Sequence, residues 1–551
     1  MIALCASVAG APQRRALSPA DIADITTLVM LEDTRRFDPD ALGRILKSPH
    51  PDVRRRAAQS IGRIAKPEGR ALLLTARGDA DVDVAATVVF ATGQLKDAEA
   101  VSWLGDLLAS PATPQPVARE AARSLGKIRS PEARQVLGRF LSTAPATPAA
   151  APVVGEALLA LGRFMPPADI APVLKWTTSS DVEVRWRATW ALFRLREPLG
   201  LPYLMRLAED RSPEVRYWAV RGLPAAVVDQ AKLDRRTASL VLIAALADPD
   251  RRVRTEALRS LTQYDDDEAF AAVLGALDSQ DTWLSVSAAE TIGRFKARAA
   301  VITPRLVAAA APDKPTSLRV TALGQLLAIA PDAALEAAAA LARNPSFVAR
   351  RAAVQTLQKL GAPGLSRLEA LVADPAMKGL LPPVAPTRPA APVPARTEAD
   401  YRRIVERWIV PDYNGAARPR VIFGTPRGEF EVELYAGDAP LGLEYLVRVV
   451  ESGEIIGPEF GRVVPNFVAQ QLAIRNDVTL RDEVTRLGLT RGNLSWASSG
   501  LDTGRPGYTL GNTPQPHNEG DFTTLGRVIR GMDVVDRLEL GDAITSARIR
   551  K

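Results

Sequence analysis

The sequence predicts a multidomain protein in which an all-α solenoid of repeated helical pairs precedes a smaller domain of mainly β structure. Two observations support this prediction. A motif typical of helices recurs with a period of about 31 residues over the first 375 residues. In the C-terminal part, apolar and polar residues alternate as in short strands, and Gly-rich turns separate these stretches. At 551 residues the chain is also too long for a single hydrophobic core.

The repeated motif begins with a turn that contains Asp or Pro. Val follows the turn, often with Arg after it, and then come Ala-rich residues and Leu-Gly or an equivalent pair. A period of about 31 residues accommodates two helices of about three turns each. Because each pair has an apolar stripe that it cannot bury alone, the units must stack, and Ala and Gly positions let neighbouring helices approach. The first apolar residue of the motif recurs at ten positions: Val53, Val84, Val117, Val153, Val184, Val215, Val253, Leu284, Leu318 and Val348.

This pattern resembles HEAT repeats, in particular the short Ala- and Arg-rich type of bacteria. The resemblance implies a curved solenoid over residues 20–375, with a protein partner on its surface. Such solenoids serve as scaffolds, enzyme subunits and adaptors, so the architecture leaves the function open. Tryptophans cluster in the middle repeats, and they either form a partner-binding patch or fill gaps between helices. They are Trp176, Trp186, Trp190 and Trp218.

Two segments outside the repeats have a composition of their own. Residues 376–396 are rich in Pro and Ala, which predicts an extended linker between two modules that fold independently. Residues 1–19 contain an apolar run followed by small residues, the pattern of a signal-peptide remnant, but they lack a basic start. The periplasm or cell envelope and the cytoplasm therefore both stay open as locations.

Composition argues against several function classes. The 70 basic and 63 acidic residues are interspersed and form no basic patch with aromatic residues, so no nucleic-acid partner is expected. One cysteine, Cys5, and two histidines, His50 and His517, do not supply a zinc cluster or a Cys/His or Ser/His/Asp site. No apolar run approaches the roughly 20 residues of a membrane span. We expect no metal and no other cofactor.

The segment Phe460–Gln471, FGRVVPNFVAQQ, contains a recognisable motif. Its arginine, phenylalanine and glutamine have the spacing of the cyclophilin active-site strand, F-H-R-V-x-x-x-F-x-x-Q-x-G. Flanking blocks at 425–453, 492–510 and 514–538 follow the family's order and spacing. Residues 397–551 therefore resemble a cyclophilin-type peptidyl-prolyl cis-trans isomerase domain, which implies a small β-barrel flanked by helices.

The resemblance implies roles for ten residues. Arg462 matches the catalytic arginine, and Gln470 matches the glutamine that orients the substrate and the arginine. The other matches are to substrate-binding positions: Phe467, Val468, Ala497, Ser498, Thr509, His517, Phe522 and Leu525.

The chemistry of the reaction needs an arginine beside an apolar cup. Rotation about an X–Pro bond costs roughly 18–20 kcal/mol because amide resonance is broken, and no covalent step is required. A guanidinium is always charged and donates to the imide nitrogen lone pair, which is free only in the twisted state. We therefore expect an isomerase acting on X–Pro bonds of clients, as yet unidentified, that the solenoid recruits.

Several positions depart from the family pattern. Gly461 replaces the histidine before the arginine, and Gly507 and Thr509 replace a glutamine and a pocket-wall phenylalanine. Losing that ring removes about 1–3 kcal/mol of apolar contact, so we expect Thr509→Phe with Gly507→Gln to raise activity. The alternative is a catalytically degenerate domain that serves with the solenoid as an interaction scaffold. A structural ion pair of Arg462 with Asp482 or Glu483 also stays open.

Overall fold

The computed structural model describes residues 15–166, 169–382, 391–392, 395–474 and 478–550. Helices make up its N-terminal part, and an eight-stranded sheet makes up most of its C-terminal part. The signal-peptide pattern in residues 1–14 and the middle of the Pro/Ala-rich segment, 383–390, lie outside the described residues. None of the helices described is both long and apolar enough to cross a bilayer.

The solenoid is built from pairs of helices, as the repeat spacing predicts. All ten repeat anchors lie in the first turn of a helix, and nine of them are buried. The exception is the half-buried Leu284, whose neighbour Trp283 is buried instead. The helices are α1 (Pro19–Thr34), α2 (Pro39–Ile45), α3 (Pro51–Ile64), α4 (Gly69–Thr75), α5 (Val82–Gln94), α6 (Val101–Ala109), α7 (Gln115–Ile128), α8 (Pro131–Thr143), α9 (Ala151–Leu161), α10 (Ala171–Leu174), α11 (Val182–Leu195), α12 (Leu201–Leu207), α13 (Pro213–Arg221), α14 (Ala225–Gln230), α15 (Arg235–Ala245), α16 (Arg251–Leu261), α17 (Asp267–Ala276), α18 (Thr282–Ile292), α19 (Ala299–Ala309), α20 (Thr316–Ile329), α21 (Pro331–Leu341), α22 (Phe347–Lys359) and α23 (Ala362–Ala373).

The ten anchor-bearing helices and α1 stack on one another in a single layer, which we call the inner layer: α1, α3, α5, α7, α9, α11, α13, α16, α18, α20 and α22. Glycines allow this stacking. A Cβ atom added at Gly93 would lie 2.9 Å from the Cα atom of Ser124, and one added at Gly126 would lie 2.7 Å from the Cα atom of Ala160. The expected close approach of successive helices is therefore confirmed.

The arginine that follows the anchor valine connects successive units. Arg54 donates to the carboxylate of Asp79 in the next turn, at 2.7 Å, and to the carbonyl oxygen of Ser48 in the preceding turn, at 2.9 Å. The hydrogen bonds satisfy turn carbonyls and fix the spacing of the units. The same arrangement recurs at three further pairs, Arg185–Asp210, Arg216–Asp248 and Arg254–Asp281.

The clustered tryptophans are core residues. Trp190 and Trp218 are almost completely buried, and their rings meet edge to face with centroids 6.5 Å apart. Trp176 and Trp186 are buried as well. The partner-patch interpretation is therefore wrong, and the alternative, in which these rings fill gaps between helices, describes the structure.

The C-terminal domain is a curled sheet with the strand order β10-β2-β3-β9-β7-β8-β5-β4. A backbone bridge between Glu459 and Ala543 joins the two edges of this sheet, so that the strands close into a barrel. The two-residue β1 pairs in parallel with β6 outside the barrel. The strands are β1 (Ala391–Pro392), β2 (Arg420–Thr425), β3 (Gly428–Leu434), β4 (Phe460–Val464), β5 (Val468–Gln471), β6 (Val478–Thr479), β7 (Asn493–Ala497), β8 (Arg505–Gly511), β9 (Thr524–Arg530) and β10 (Ser546–Arg550), and the helices of this part are α24 (Glu398–Ile404), α25 (Val410–Tyr413), α26 (Pro440–Glu451) and α27 (Met532–Asp536).

The inner layer holds the barrel along its whole length. In the first units, a cationic or amide side chain follows the repeat glycine and donates to backbone carbonyls of barrel loops. Arg63 donates to the carbonyl oxygens of Asp438 and Val484, at 2.5 and 2.9 Å. Lys127 and Arg163 reach the carbonyl oxygens of Gly520 and Pro516, each at 2.5 Å. Further along, α16, α18, α20 and α22 also contact barrel loops through hydrogen bonds.

The first helical units and the barrel share one continuous cluster of buried apolar side chains. The cluster runs from α1 through α24 into the barrel, and Tyr401 of α24 donates to Asp33 at 2.7 Å. Beside it, the buried Glu32 accepts hydrogen bonds from Arg56 and Arg63, both at 2.7 Å. Burial opposes ionisation of Glu32, but these two guanidinium groups outweigh it and lower its pKa.

This docking differs from the two independent modules that the Pro/Ala-rich segment predicts. The composition of a linker indicates how far it reaches, but it carries no information about surfaces elsewhere in the chain that bind each other. Because the contacts include buried charged donors and shared apolar core, we treat the solenoid and the barrel as one folded body.

A pair of glycine substitutions tests the stacking of the solenoid. Gly126→Ala should destabilise the protein by about 1–3 kcal/mol, because its methyl group meets the backbone of α9. Gly324→Ala, in the exposed interior of α20 with no atom near the added Cβ, should stabilise it by about 0.5–1 kcal/mol. Chemical denaturation of both variants measures these changes, and equal effects would contradict the stacking.

Cleavage between the two parts tests the docking. We expect that replacing residues 384–389 by a protease recognition sequence, and cutting there, leaves two fragments that co-elute in size-exclusion chromatography. Lys127→Met with Arg163→Met should weaken this association, because buried barrel carbonyls lose charged donors worth about 1.5–3 kcal/mol each. Arg44→Met, at a largely exposed ion pair, is the matched control. Separate elution of the cleaved, otherwise unchanged fragments would disprove the docking.

Candidate functional site

Two adjoining cavities open on the barrel where β4, β5, β7 and β8 meet. The smaller one, of about 120 Å³, is called the ring cavity here, and the larger one, of about 430 Å³, is called the flanking cavity. Arg462, Gln470, Ala497 and Ser498 border both. The ring cavity is further lined by Phe467, Val468, Leu489, Asn493, Ser495, Trp496, Thr509, Gln515, Asn518 and Phe522. The flanking cavity is further lined by Arg351, Gly461, Gln471, Leu472, Ala473, Ser499, Thr503, Arg505 and Gly507.

Arg462 and Gln470 are placed by the pairing of β4 with β5. These two residues are directly opposite each other in the antiparallel ladder, next to an irregularity at Gly461. The Arg462 guanidinium lies over the ring of Phe467, 5.3 Å from its centroid, and the side chain is otherwise exposed. Stacking on an aromatic face holds a guanidinium in place while leaving its N–H groups free to donate.

The acidic residues proposed as structural partners of Arg462 are engaged elsewhere. Glu483 accepts from the N–H groups of Leu441 and Gly442 at the start of α26, at 3.2 and 2.7 Å. Burial raises the pKa of Glu483 to about 7, although Arg63 opposes this. Asp482 accepts from the hydroxyl of Thr523 at 2.8 Å. Among the described residues no carboxylate lies within 4.0 Å of the Arg462 nitrogens, so neither Asp482 nor Glu483 is an ion-pair partner of Arg462.

The ring cavity has an apolar floor supported by polar groups. Phe467 and Phe522 are half-buried in its wall, and Val468 is buried beneath them. Gln515 donates to the carbonyl oxygen of Phe467 at 3.3 Å, and Asn518 donates to Gln515 at 3.0 Å. This chain of amides fixes the backbone that carries the phenylalanine, which suits a cavity that receives a small apolar ring.

Ala497 and Ser498 lie at the end of β7, on the border between the cavities. Ser498 is half-buried, and its hydroxyl finds no hydrogen-bond partner among the described residues. The ladder between β7 and β8 ends at the pair of Ala497 and Arg505, so Ser498 lies just beyond it. A chain entering the ring cavity would therefore pass these two residues before it reaches the flanking cavity.

Two of the ten predicted residues border neither cavity. Leu525 is completely buried in the barrel core, beside the backbone of Gly442. His517 sits in the loop that faces the solenoid, and burial, together with the guanidiniums of Arg194, Arg221 and Arg163, lowers its pKa to about 4. The structure therefore places His517 at the docking surface as a neutral group.

Two of the residues that depart from the family motif pack on one common segment, 471–473. A Cβ atom at Gly461 would overlap the side chain of Leu472, which occupies the space above it. A Cβ atom at Gly507 would lie 2.8 Å from the carbonyl oxygen of Gln471 and 3.3 Å from the Cα atom of Ala473. The segment 471–473 therefore packs directly on Gly507. The expectation that Gly507→Gln would improve the site does not agree with this packing, whereas Thr509 faces open space in the ring cavity.

The sequence comparison missed several lining residues. Gln515 and Asn518 lie within the segment 514–538, which follows the family's order and spacing. Their polar amides could have been recognised in the sequence as candidate lining residues. Arg505 begins β8 and is exposed, and no sequence pattern singled it out. Arg351 belongs to α22 of the solenoid, and no sequence pattern indicates that it reaches a cavity more than 100 residues further along the chain. In the described parts of the chain, no group of His, Cys, Asp and Glu is arranged to hold a metal ion.

Comparisons with known proteins agree with this geometry. The family model of the cyclophilin type peptidyl-prolyl cis-trans isomerases matches residues 420–551, and that of HEAT repeats matches stretches between 39 and 304. A peptidyl-prolyl cis-trans isomerase of Helicobacter pylori is 31% identical over 132 residues, which are 22% of this chain and 81% of the relative. Peptidyl-prolyl cis-trans isomerase B of Bacillus subtilis is 30% identical over 129 residues, 22% of this chain and 90% of the relative.

Solved structures also match in part. A cyclophilin type isomerase of Cryptosporidium parvum is 18% identical, covers 24% of this chain and 98% of its own, and has a TM-score of 0.23. A mutant of Kap121p is 14% identical, covers 63% of this chain and 45% of its own, and has a TM-score of 0.43.

Substitutions at β8 test the ring cavity. Thr509→Phe should tighten binding of a proline-containing tetrapeptide by about tenfold, because an added ring recovers about 1–3 kcal/mol of apolar contact. Gly507→Gln should instead lower the thermal midpoint and weaken binding, because its side chain meets the backbone of 471–473. Fluorescence anisotropy with a labelled peptide measures both. Weaker binding by a folded Thr509→Phe variant would show that the ring cavity does not receive proline.

Proposed function

Because the chain belongs to the cyclophilin-type peptidyl-prolyl cis-trans isomerases, we propose that Arg462 catalyses rotation about X–Pro bonds of protein clients whose proline enters the ring cavity. We further propose that the solenoid is a rigid holder of the catalytic barrel and forms part of the surface that the client meets. Its HEAT repeats support such a role in protein interaction.

The observation that carries this proposal is an arginine that lies beside an apolar cup and has no acidic partner among the described residues. A proline ring against Phe467 and Phe522 would place its imide nitrogen close to the Arg462 guanidinium, which borders both cavities. As the bond twists, the nitrogen becomes pyramidal and its lone pair accepts a hydrogen bond from the guanidinium. This interaction is absent in the planar ground state, so it lowers the barrier selectively.

The remaining residues hold the client in register. Gln470 lies opposite Arg462 in the ladder and carries an amide into both cavities. Ala497 and Ser498 present the end of β7 to the extended peptide on the other side. With the flanking backbone held at these points, rotation is confined to the X–Pro bond, and positioning contributes to the rate.

Because the solenoid is docked on the barrel, we propose that it meets a client beside the catalytic site. Its inner layer is covered by the barrel, so this layer is not free to bind a client along its length. Arg351 of α22 borders the flanking cavity and remains half-buried rather than covered. We therefore place the contact between client and solenoid at α22, directly beside the catalytic site, instead of on a separate, tethered module.

The second candidate function is peptide binding without efficient catalysis. It is favoured by Thr509, which leaves one wall of the ring cavity without an aromatic ring, and by Gly461, where the motif has a histidine. In that function the solenoid and barrel would form a scaffold for proline-containing segments. The two candidates make different predictions about Arg462.

Removing the guanidinium of Arg462 distinguishes the isomerase from the peptide-binding scaffold. We expect Arg462→Ala to lower kcat/KM on a proline tetrapeptide by about tenfold or more, with a smaller effect on peptide affinity, since the arginine acts mainly in the transition state. NMR exchange spectroscopy, which needs no coupled protease, measures the rate. Arg527→Ala, an exposed arginine on β9 that borders neither cavity, is the control. If wild type and Arg462→Ala both leave the uncatalysed rate unchanged while still binding the peptide, the scaffold is favoured.

A further inference from the structure

The flanking cavity is lined by three arginines and by no acidic residue among those described. Arg462 comes from β4, Arg505 from β8, and Arg351 from α22 of the solenoid. The other lining groups are neutral side chains and backbone. Three guanidinium groups around a single cavity create a strong positive potential, which the low-dielectric walls of a cavity focus toward its interior.

Among the residues that the structure describes, these three arginines have no carboxylate within 4.0 Å, whereas two other arginines of the barrel have one. Arg481, near the same loop, is paired with Asp502 at 3.4 Å, and Arg427 is paired with Asp542 at 2.8 Å. Within the described residues, Arg351 contacts only the ring of Phe347, at 5.9 Å, and no carboxylate is found within 4.0 Å of Arg505. Grouping unpaired cations costs electrostatic free energy, which an anionic ligand would recover.

The solenoid arginine is held at the cavity by a specific contact. Glu459, directly before β4, accepts hydrogen bonds from the hydroxyl of Ser346 at 2.7 Å and from the N–H groups of Phe347 and Val348 at 2.8 and 2.9 Å. The carboxylate therefore caps the N-terminus of α22, where the helix dipole favours negative charge. This cap connects the strand of Arg462 to the helix of Arg351, so that the two backbone segments are held side by side.

From this arrangement we infer that the flanking cavity binds an acidic side chain, Asp or Glu, of a client segment whose proline occupies the ring cavity. The inference rests on the proposed function and names its substrate class. The two cavities share four lining residues, so the carboxylate belongs to a residue within about three positions of the proline, at about 3.3–3.6 Å per extended residue. Arg351 makes the solenoid a determinant of sequence specificity.

The test uses the full chain and a set of proline peptides. Each peptide carries Glu, Gln or Lys at one of the three positions before or after the proline. For at least one position we expect kcat/KM by NMR exchange spectroscopy to favour Glu over Gln by about tenfold at low salt, and by less at high salt because the guanidiniums are partly exposed. Glu and Gln have the same shape, so this ratio reports charge alone.

A charge reversal assigns the preference to the solenoid. Arg351→Glu should lower the Glu-to-Gln ratio by about tenfold and raise the Lys-to-Gln ratio. Lys359→Glu makes the same charge change on an exposed position of the same helix, further from the cavity, and should leave both ratios within about twofold of wild type.

The outcomes separate this inference from the proposed function. If wild type isomerises the peptides but shows no preference for Glu at any position, or if Lys359→Glu changes the ratio as much as Arg351→Glu, the inference is wrong and the isomerase stands. If no peptide is isomerised, the proposed function fails. Anisotropy with the same labelled peptides then decides: tighter binding of Glu peptides that Arg351→Glu abolishes supports the inference, and equal binding overturns it.

Discussion

The structure depends on charged donors of the solenoid that pair with backbone carbonyls of the barrel loops. Arg63, Lys127 and Arg163 follow the repeat glycine in three of the first four repeats. Arg63 reaches the loops of Asp438 and Val484, and Lys127 and Arg163 both reach the loop between β8 and β9. A buried carbonyl without a donor costs free energy, and so does a buried guanidinium without an acceptor, so each group needs the other. Because the repeat sets the spacing of the donors, the barrel has one register in which they are all satisfied. The repetition of the solenoid thereby fixes the position of a domain that is not itself repetitive.

Contacts with the solenoid and packing within the barrel explain features of the barrel that are otherwise departures from its family. The loop that contains His517 faces three arginines of the inner layer, and burial, together with these arginines, lowers the pKa of the imidazole. The segment 471–473 packs on Gly507 and over Gly461, so its neighbours have lost their side chains. Each substitution, considered alone, suggests loss of the catalytic site. In the structure the substituted positions together form one repacked surface.

Sequence patterns predicted the elements better than the contacts between them. The repeat anchors located the inner helices because burial of Val53 or Val184 is a local consequence of helical periodicity. The same repeat motif contains the arginine after the valine and the cation after the glycine. The arginine donates to a later turn and the cation to a distant barrel loop, and periodicity does not reveal either acceptor. The spacing of Arg462, Phe467 and Gln470 led to the ring cavity, whereas Arg351 joins the site only through docking.

The division of the site into two cavities suggests how binding energy is used. In the proposed function, a ring cavity without a phenylalanine at position 509 would hold proline weakly, and weak ground-state binding of the ring would not reduce the advantage that Arg462 gives the twisted state. Affinity for a client would then come from residues beside the proline. Arg351 and Arg505, which have no acidic partner among the described residues, are placed to supply it, and Arg351 belongs to the solenoid. On this argument the solenoid contributes to client selection through the catalytic site itself, because its helix forms part of the wall that the client meets.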